Sequence, residues 1–182
     1  MEKETLKNIF YFLEEKEAHK TPFLWKWLNN EPLTEEDLNI KGDLDLSETE
    51  IQSLPEGLRV DGELNLSYSE IETLPKGLIV NSHLVLEESN IRSLPEGLKV
   101  GGDLILASCQ YIFSLPKGFK VVGDLYLEGS GVLSLPKGLE VGGYLYINST
   151  VLASKSDDEL REMIKPGFIK GNIINDEADE YE

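Results

Sequence analysis

Asp43 and Asp45 are the first residues in the chain whose types and spacing suggest chemistry. Side chains at i and i+2 of a strand share one face, and two neighbouring carboxylates can divide general-acid and general-base work. The same decoration recurs downstream, at Glu63, Asp103 and Asp124, so a solvated acidic edge accounts for it without catalysis. Cys109 is the single cysteine, and no His or Asp is placed in sequence to activate it as a nucleophile. His19 and His83 are far apart, and no Cys/His spacing of the metal-binding kind occurs. Gly101-Gly102 belongs to a recurring corner and not to a phosphate loop. The expected inventory is therefore no catalytic residue, no metal and no cofactor: a protein that is not an enzyme.

Composition narrows the partners. The 182 residues suffice for one well-buried domain, and 34 acidic against 17 basic side chains give a formal net charge of −17. Such a charge repels phosphate backbones and anionic lipid surfaces over long range, which argues against nucleic acid and membrane and favours basic partners. A single cysteine rules out an intramolecular disulfide and suits a reducing compartment. No apolar run approaches the roughly 18–20 residues of a membrane span. The start, MEKETLKNIF, is acid-containing and unlike a secretion signal. The expectation is a cytoplasmic protein.

The elements that position these side chains come from one phrase written five times. SLPEGLRVDGELNLS (Ser53–Ser67) returns at Thr73–Glu87, Ser93–Ser108, Ser114–Glu128 and Ser134–Asn148. Its Leu-Pro pairs begin at Leu54, Leu74, Leu94, Leu115 and Leu135, a period of 20 residues with one step of 21. A fixed period of this size predicts a solenoid, each repeat one coil that buries its apolar face only against its neighbours. Within a coil, Leu64 and Leu66 alternate with Glu63, Asn65 and Ser67, the pattern of a half-buried strand. The equivalent pairs from Leu44/Leu46 to Leu145/Ile147 predict six parallel strands, and the solenoid as a whole is expected to hold six or seven in one sheet. Glycines such as Gly62 and Gly102 precede the strand, where a sharp corner or positive φ is expected. Proline in Leu-Pro-x-Gly-Leu makes the return path extended or irregular, with at most short 3₁₀ turns or strands. Thr49, Ser69, Ser89, Cys109, Ser130 and Thr150 form a small polar column expected inside the bend, bonding turn backbone. Cys109 is thus expected as a buried structural thiol.

The pattern L-x-L-x-x-(N/C/T/S)-x-(L/I)-x-x-L-P, read at Leu64–Pro75 and its copies, resembles the leucine-rich repeat. Its 20-residue length and Leu-Pro return resemble a short bacterial subclass found in secreted effector ligases and in small proteins of bacteria and their phages. The resemblance covers residues 40–152 and implies a right-handed horseshoe solenoid. It departs from the usual repeat at Asp61, Asn81, Gly101 and Gly142, where a leucine is customary and the preceding Val60, Val80, Val100 and Val141 are expected to fill the space. The effector ligases carry a separate catalytic domain with a nucleophilic cysteine, and no such segment is present in these residues.

The open ends of a solenoid need covers. Residues 1–39 read as a helical cap, with Leu6, Ile9, Phe10 and Leu13 at helical spacing and a second short helix at Thr21–Asn29. Trp25 and Trp27 do not share a helix face, which leaves a partner-binding helix pair as the sharper alternative. Residues 153–174 read as a second cap: a helix opened by the capping box Ser156–Glu159, then a degenerate repeat at Phe168–Ile174. Residues 175–182, NDEADEYE, read as a disordered acidic tail. The extra residue of the 21-residue step falls within Ser108–Phe113 and is expected to push Tyr111 or Phe113 outward.

What varies between repeats is where function is expected. The open face of the sheet carries three columns: Asp43, Glu63, His83, Asp103, Asp124, Tyr144; then Asp45, Asn65, Val85, Ile105, Tyr126, Tyr146; then Ser47, Ser67, Glu87, Ala107, Glu128, Asn148. Adjacent strands lie about 4.8 Å apart, so Asp103 and Asp124 are expected as near neighbours, an arrangement a cationic partner relieves. Val85, Ile105, Tyr126 and Tyr146 make an apolar-to-aromatic stripe that nothing in the fold requires. The expected function is capture of a basic protein partner through Val85, Asp103, Ile105, Asp124, Tyr126, Tyr144 and Tyr146. The alternative is an acidic decoy that inhibits a nucleic-acid-binding protein, as a phage or mobile-element counter-defence factor would.

Overall fold

The computed structural model describes residues 22–175. The expected helix at Leu6–Leu13 and the acidic tail from 176 onward lie outside them. Along the described chain each repeat is one coil of a parallel β solenoid, and each coil holds two short parallel strands separated by a corner. The first strands of successive coils are β1 (Asn39–Ile40), β3 (Arg59–Val60), β5 (Ile79–Val80), β7 (Lys99–Val100), β9 (Lys120–Val121), β11 (Glu140–Val141) and β13 (Phe168–Ile169). The second strands are β2 (Leu44–Asp45), β4 (Leu64–Asn65), β6 (Leu84–Val85), β8 (Leu104–Ile105), β10 (Leu125–Tyr126), β12 (Leu145–Tyr146) and β14 (Ile173–Ile174). The even-numbered strands form one seven-stranded sheet, in register from Leu44↔Leu64 to Leu145↔Ile173. The degenerate repeat at Phe168–Ile174 therefore completes a seventh coil in both ladders.

The core follows the alternation. Leu64, Leu66, Leu84, Leu86, Leu104 and Leu106 are fully buried, and the valines expected to stand in for the missing leucines, Val60, Val80, Val100 and Val141, are buried too. Each such side chain contributes on the order of 2 kcal/mol when removed from water. Both faces of an inner coil are buried against its neighbours, so the coils are stable only as a stack.

Corners are built differently at the two ends of each even strand. At the exit, the column Glu48, Tyr68, Glu88, Ser108 and Ser149 has left-handed backbone, φ between 52° and 58°. Here the chain reverses while the amide still donates to the next coil, as in Tyr68 N–H to the Glu87 carbonyl at 2.8 Å. The polar column closes this turn from inside: Thr49 and Ser69 hydroxyls donate to the carbonyls of Leu46 and Leu66 at 2.7 and 2.6 Å. At the entry, positive φ is confined to Gly42. The other glycines answer a different need, close approach: a Cβ on Gly143 would stand 1.8 Å from Asp124 Oδ1, and one on Gly62 would stand 2.1 Å from Asp43 Oδ1.

The ends differ in kind from the coils. Helix α1 (Pro22–Leu28) buries Phe23, Leu24 and Leu28, stacks Trp27 on Phe23 and leaves Trp25 half exposed. Lys26 ties it to the chain entering the first coil through Asp37, whose oxygens lie 2.8 and 2.7 Å away. That ammonium, with the Thr34 amide and hydroxyl, holds the Asp37 carboxyl at about 2. At the other end a 3₁₀ turn (Val151–Ser154) leads into α2 (Asp157–Met163), opened by a complete capping box between Ser156 and Glu159. From α2, Arg161 donates to the Ile169 and Gly171 carbonyls at 2.6 and 2.9 Å, closing acceptors at the edge of the last described coil.

The odd-numbered strands do not form a continuous sheet. They divide into β1-β3-β5-β7 and β9-β11-β13, with β7 and β9 side by side and no ladder between them. The break follows the 21-residue step. Cys109 and Ile112 both occupy buried repeat positions, so the extra residue falls at Gln110–Tyr111. Tyr111 and Phe113 are exposed, as expected of the insertion, and Arg92 lies 5.3 Å over the Tyr111 ring.

Candidate partner-binding face

The first column of the seven-stranded sheet is built into the scaffold. Asp43 Oδ1 accepts the Glu63 amide at 2.8 Å, Asp103 Oδ1 the Asp124 amide at 2.7 Å, and Asp124 Oδ1 the Tyr144 amide at 2.7 Å. His83 Nδ1 stands in the same place, 3.0 Å from the Asp103 amide and 3.2 Å from Asp103 Oδ2. It accepts from the amide when neutral and donates to the carboxylate when protonated. The repulsion expected between Asp103 and Asp124 is thus offset by a backbone dipole set between them, a charge-assisted bond. Only one oxygen of each carboxylate is used this way. The second oxygen of Asp124 lies 3.4 Å from the Tyr126 hydroxyl, a long contact.

The second column changes character along the stack. In the first two coils it is polar and self-satisfied: Asp45 Oδ1 accepts from the Ser47 amide and hydroxyl at 3.1 and 2.6 Å, and Asn65 Oδ1 from those of Ser67 at 3.0 and 2.8 Å. From the third coil it becomes apolar, and Val85, Ile105, Tyr126 and Tyr146 follow one another in register. Ile174 continues the line beside Tyr146. The reading of the sequence stopped at the sixth strand and missed it, although the degenerate repeat at Phe168–Ile174 already held the signal.

Two tyrosines dominate this stripe. The rings of Tyr126 and Tyr146 stack with centroids 4.4 Å apart and planes 4° from parallel, and Tyr144 tilts against Tyr146 at 6.4 Å. Burial, then the neighbouring Tyr146 and Asp124, push the Tyr126 phenol well above its ordinary value. It remains a neutral donor throughout the physiological range. Of the seven residues expected to meet a partner, Tyr144 is the most open, while Val85, Asp103, Ile105, Asp124, Tyr126 and Tyr146 are half-buried on the same face. The sheet brings all seven together.

Cys109 sits inside the bend with its thiol donating to the Leu86 carbonyl at 2.9 Å, and burial raises it to about 11. A thiol so protonated is a poor nucleophile at neutral pH. Among the described residues no three His, Cys, Asp or Glu side chains gather as metal ligands, and no helix is long and apolar enough to cross a membrane. No protein-family model matches the chain, and neither does any curated protein or solved structure.

Proposed function

We propose that this protein is a non-catalytic binding module that captures a protein partner on the seven-stranded sheet. The single observation that carries the reading is the column Val85–Ile105–Tyr126–Tyr146–Ile174, apolar across five adjacent strands where the first two coils place self-bonded polar residues. An outward-facing apolar column does not stabilise its own coil as the inward leucines do, and stacked tyrosines offer rigid anchor area at low entropic cost. Flanking carboxylates favour a basic partner by steering its approach. The likeness of the repeat to leucine-rich repeats supports the same reading, because the repeated leucines are spent on the coil and the outward strand positions are left free to vary.

Tyr126→Ala combined with Tyr146→Ala tests the proposal. Partner capture, measured by affinity pull-down from the source cell, is expected to be lost, with the melting temperature shifted by only a few degrees. Undiminished capture by the double variant overturns the reading. A salt series on the captured complex checks the chemistry: an aromatic anchor survives added salt, whereas a purely charge-driven decoy releases its target.

A further inference from the structure

At the break between β7 and β9 lies a groove of about 670 Å³, within the size range of ligand sites and lined by no residue of the tyrosine stripe. Elsewhere in the odd-numbered series each coil's amides donate to the preceding coil: Gly101 to Val80 at 2.9 Å, Glu140 to Phe119 at 2.9 Å, Gly142 to Val121 at 3.0 Å. Among the described residues the corresponding amides of Lys120 and Val122 make no such bond across the break. Phe119 fills the slot that Leu58, Leu78, Leu98 and Leu139 fill in other coils, so a larger ring is buried beside the seam. Ile79 and Val122 add apolar walls, and Gly97, Gly101 and Gly118 keep side chains off the floor.

The charge at this groove is opposite to that of the molecule. Lys99, Lys117 and Lys120 line it, against one carboxylate, Glu96. Lys120 is held 2.8 Å from Glu140, but among the described residues Lys99 and Lys117 form no ion pair, in a chain with twice as many acids as bases. Lys99 and Lys120 occupy equivalent positions on β7 and β9, so two like charges flank an unbonded seam. The groove draws on three successive coils, roughly 10–15 Å at the strand spacing, and its three lysines come from two of them. A long polyanion would also meet the field of a chain whose formal net charge is −17, whereas a segment as short as the groove engages the lysines alone. We infer that the seam groove is a second binding site, for a short acidic peptide segment whose carboxylates pair with Lys99 and Lys117 while one aliphatic or aromatic side chain rests on Ile79 and Val122.

The site is independent of the tyrosine stripe, and the experiment keeps the two apart. Fluorescein-labelled nine-residue peptides of Glu and Asp, each with one Leu, Ile or Phe, are titrated into the full chain and followed by anisotropy. Saturable binding is expected. Lys99→Glu with Lys117→Glu should weaken it about tenfold or more, and Phe119→Leu, which restores the residue of the other coils, should weaken it while keeping every lysine. Tyr126→Ala with Tyr146→Ala should leave it unchanged. The inference is overturned if no acidic peptide binds, if the lysine reversal has no effect, or if the tyrosine variant abolishes binding. Equally tight binding of an oligothymidylate of the same length would also overturn it, reassigning the groove to phosphate polyanions.

Discussion

The first two coils and the coils from the fourth onward are made from the same phrase, yet they differ in how completely they satisfy themselves. In the early coils the outward polar residues Asp45 and Asn65 bond their own serines, and Thr49 and Ser69 bond the carbonyls of their own turns. Later in the stack Cys109 reaches back to the preceding coil's Leu86, Ser130 Oγ is buried with no hydrogen-bond partner among the described residues, the odd-numbered sheet divides, and tyrosines replace the polar outward side chains. One inserted residue at Gln110–Tyr111 precedes three of these departures. Local rules are broken where a scaffold is put to use, and here the breaks coincide with the two candidate sites.

This contrast is open to attack, first through the entry corner. Gly143→Ala forces a Cβ into Asp124 Oδ1 and should cost about 1–3 kcal/mol, the loss of a charge-assisted bond plus strain. Asp124→Ala added to it should recover part of that loss, because the Tyr144 amide has already given up its acceptor. A double-mutant cycle by chemical denaturation measures the coupling. Strict additivity would mean the glycine and the carboxylate are not one device.

A smaller effect distinguishes the polar column before and after the insertion. Ser69→Ala removes a satisfied buried bond and should destabilise by about 1 kcal/mol. Ser130→Ala removes a buried hydroxyl with no partner and should be neutral or stabilising. Equal losses in urea melts would erase the distinction between the early and late coils.

The smallest expected effect is a pH slope confined to the tyrosine stripe. Tyr126 is held neutral in the folded state while its unfolded counterpart ionises near 10. With a folded value above the unfolded one, its contribution to stability is fully present below pH 10. It is lost as pH rises from there toward the folded value, because the unfolded state releases its proton first. Tyr126→Phe should flatten the decline in melting temperature above pH 10, and an unchanged slope would place the titration elsewhere.

Much of the scaffold is legible in a single sequence because the period is short and the chemistry of each slot is narrow. Leucines at i and i+2, a proline that forbids a helix on the return, and a small polar residue three positions past the strand define the coil, and repetition turns six weak signals into one strong one. Serine, two aspartates and a glutamate, Ser156–Glu159, opened α2 as its capping box required. Ile174 escaped because its repeat had lost the Leu-Pro landmark. The glycines before the strands were legible as necessary, and Gly42 has the expected positive φ, but at Gly62, Gly123 and Gly143 the need arises from the previous coil's aspartate and not from their own φ.

Sequence alone determined that this chain stacks, which side chains point inward and which columns face out, since alternation and period are properties of neighbours along the backbone. Tertiary structure decided what those outward residues do. Only the stacking of coils could set Asp103 and Asp124 against backbone amides, bring Tyr126 and Tyr146 into parallel contact, and part β7 from β9, because each of these depends on atoms twenty or more residues apart meeting within a few ångströms.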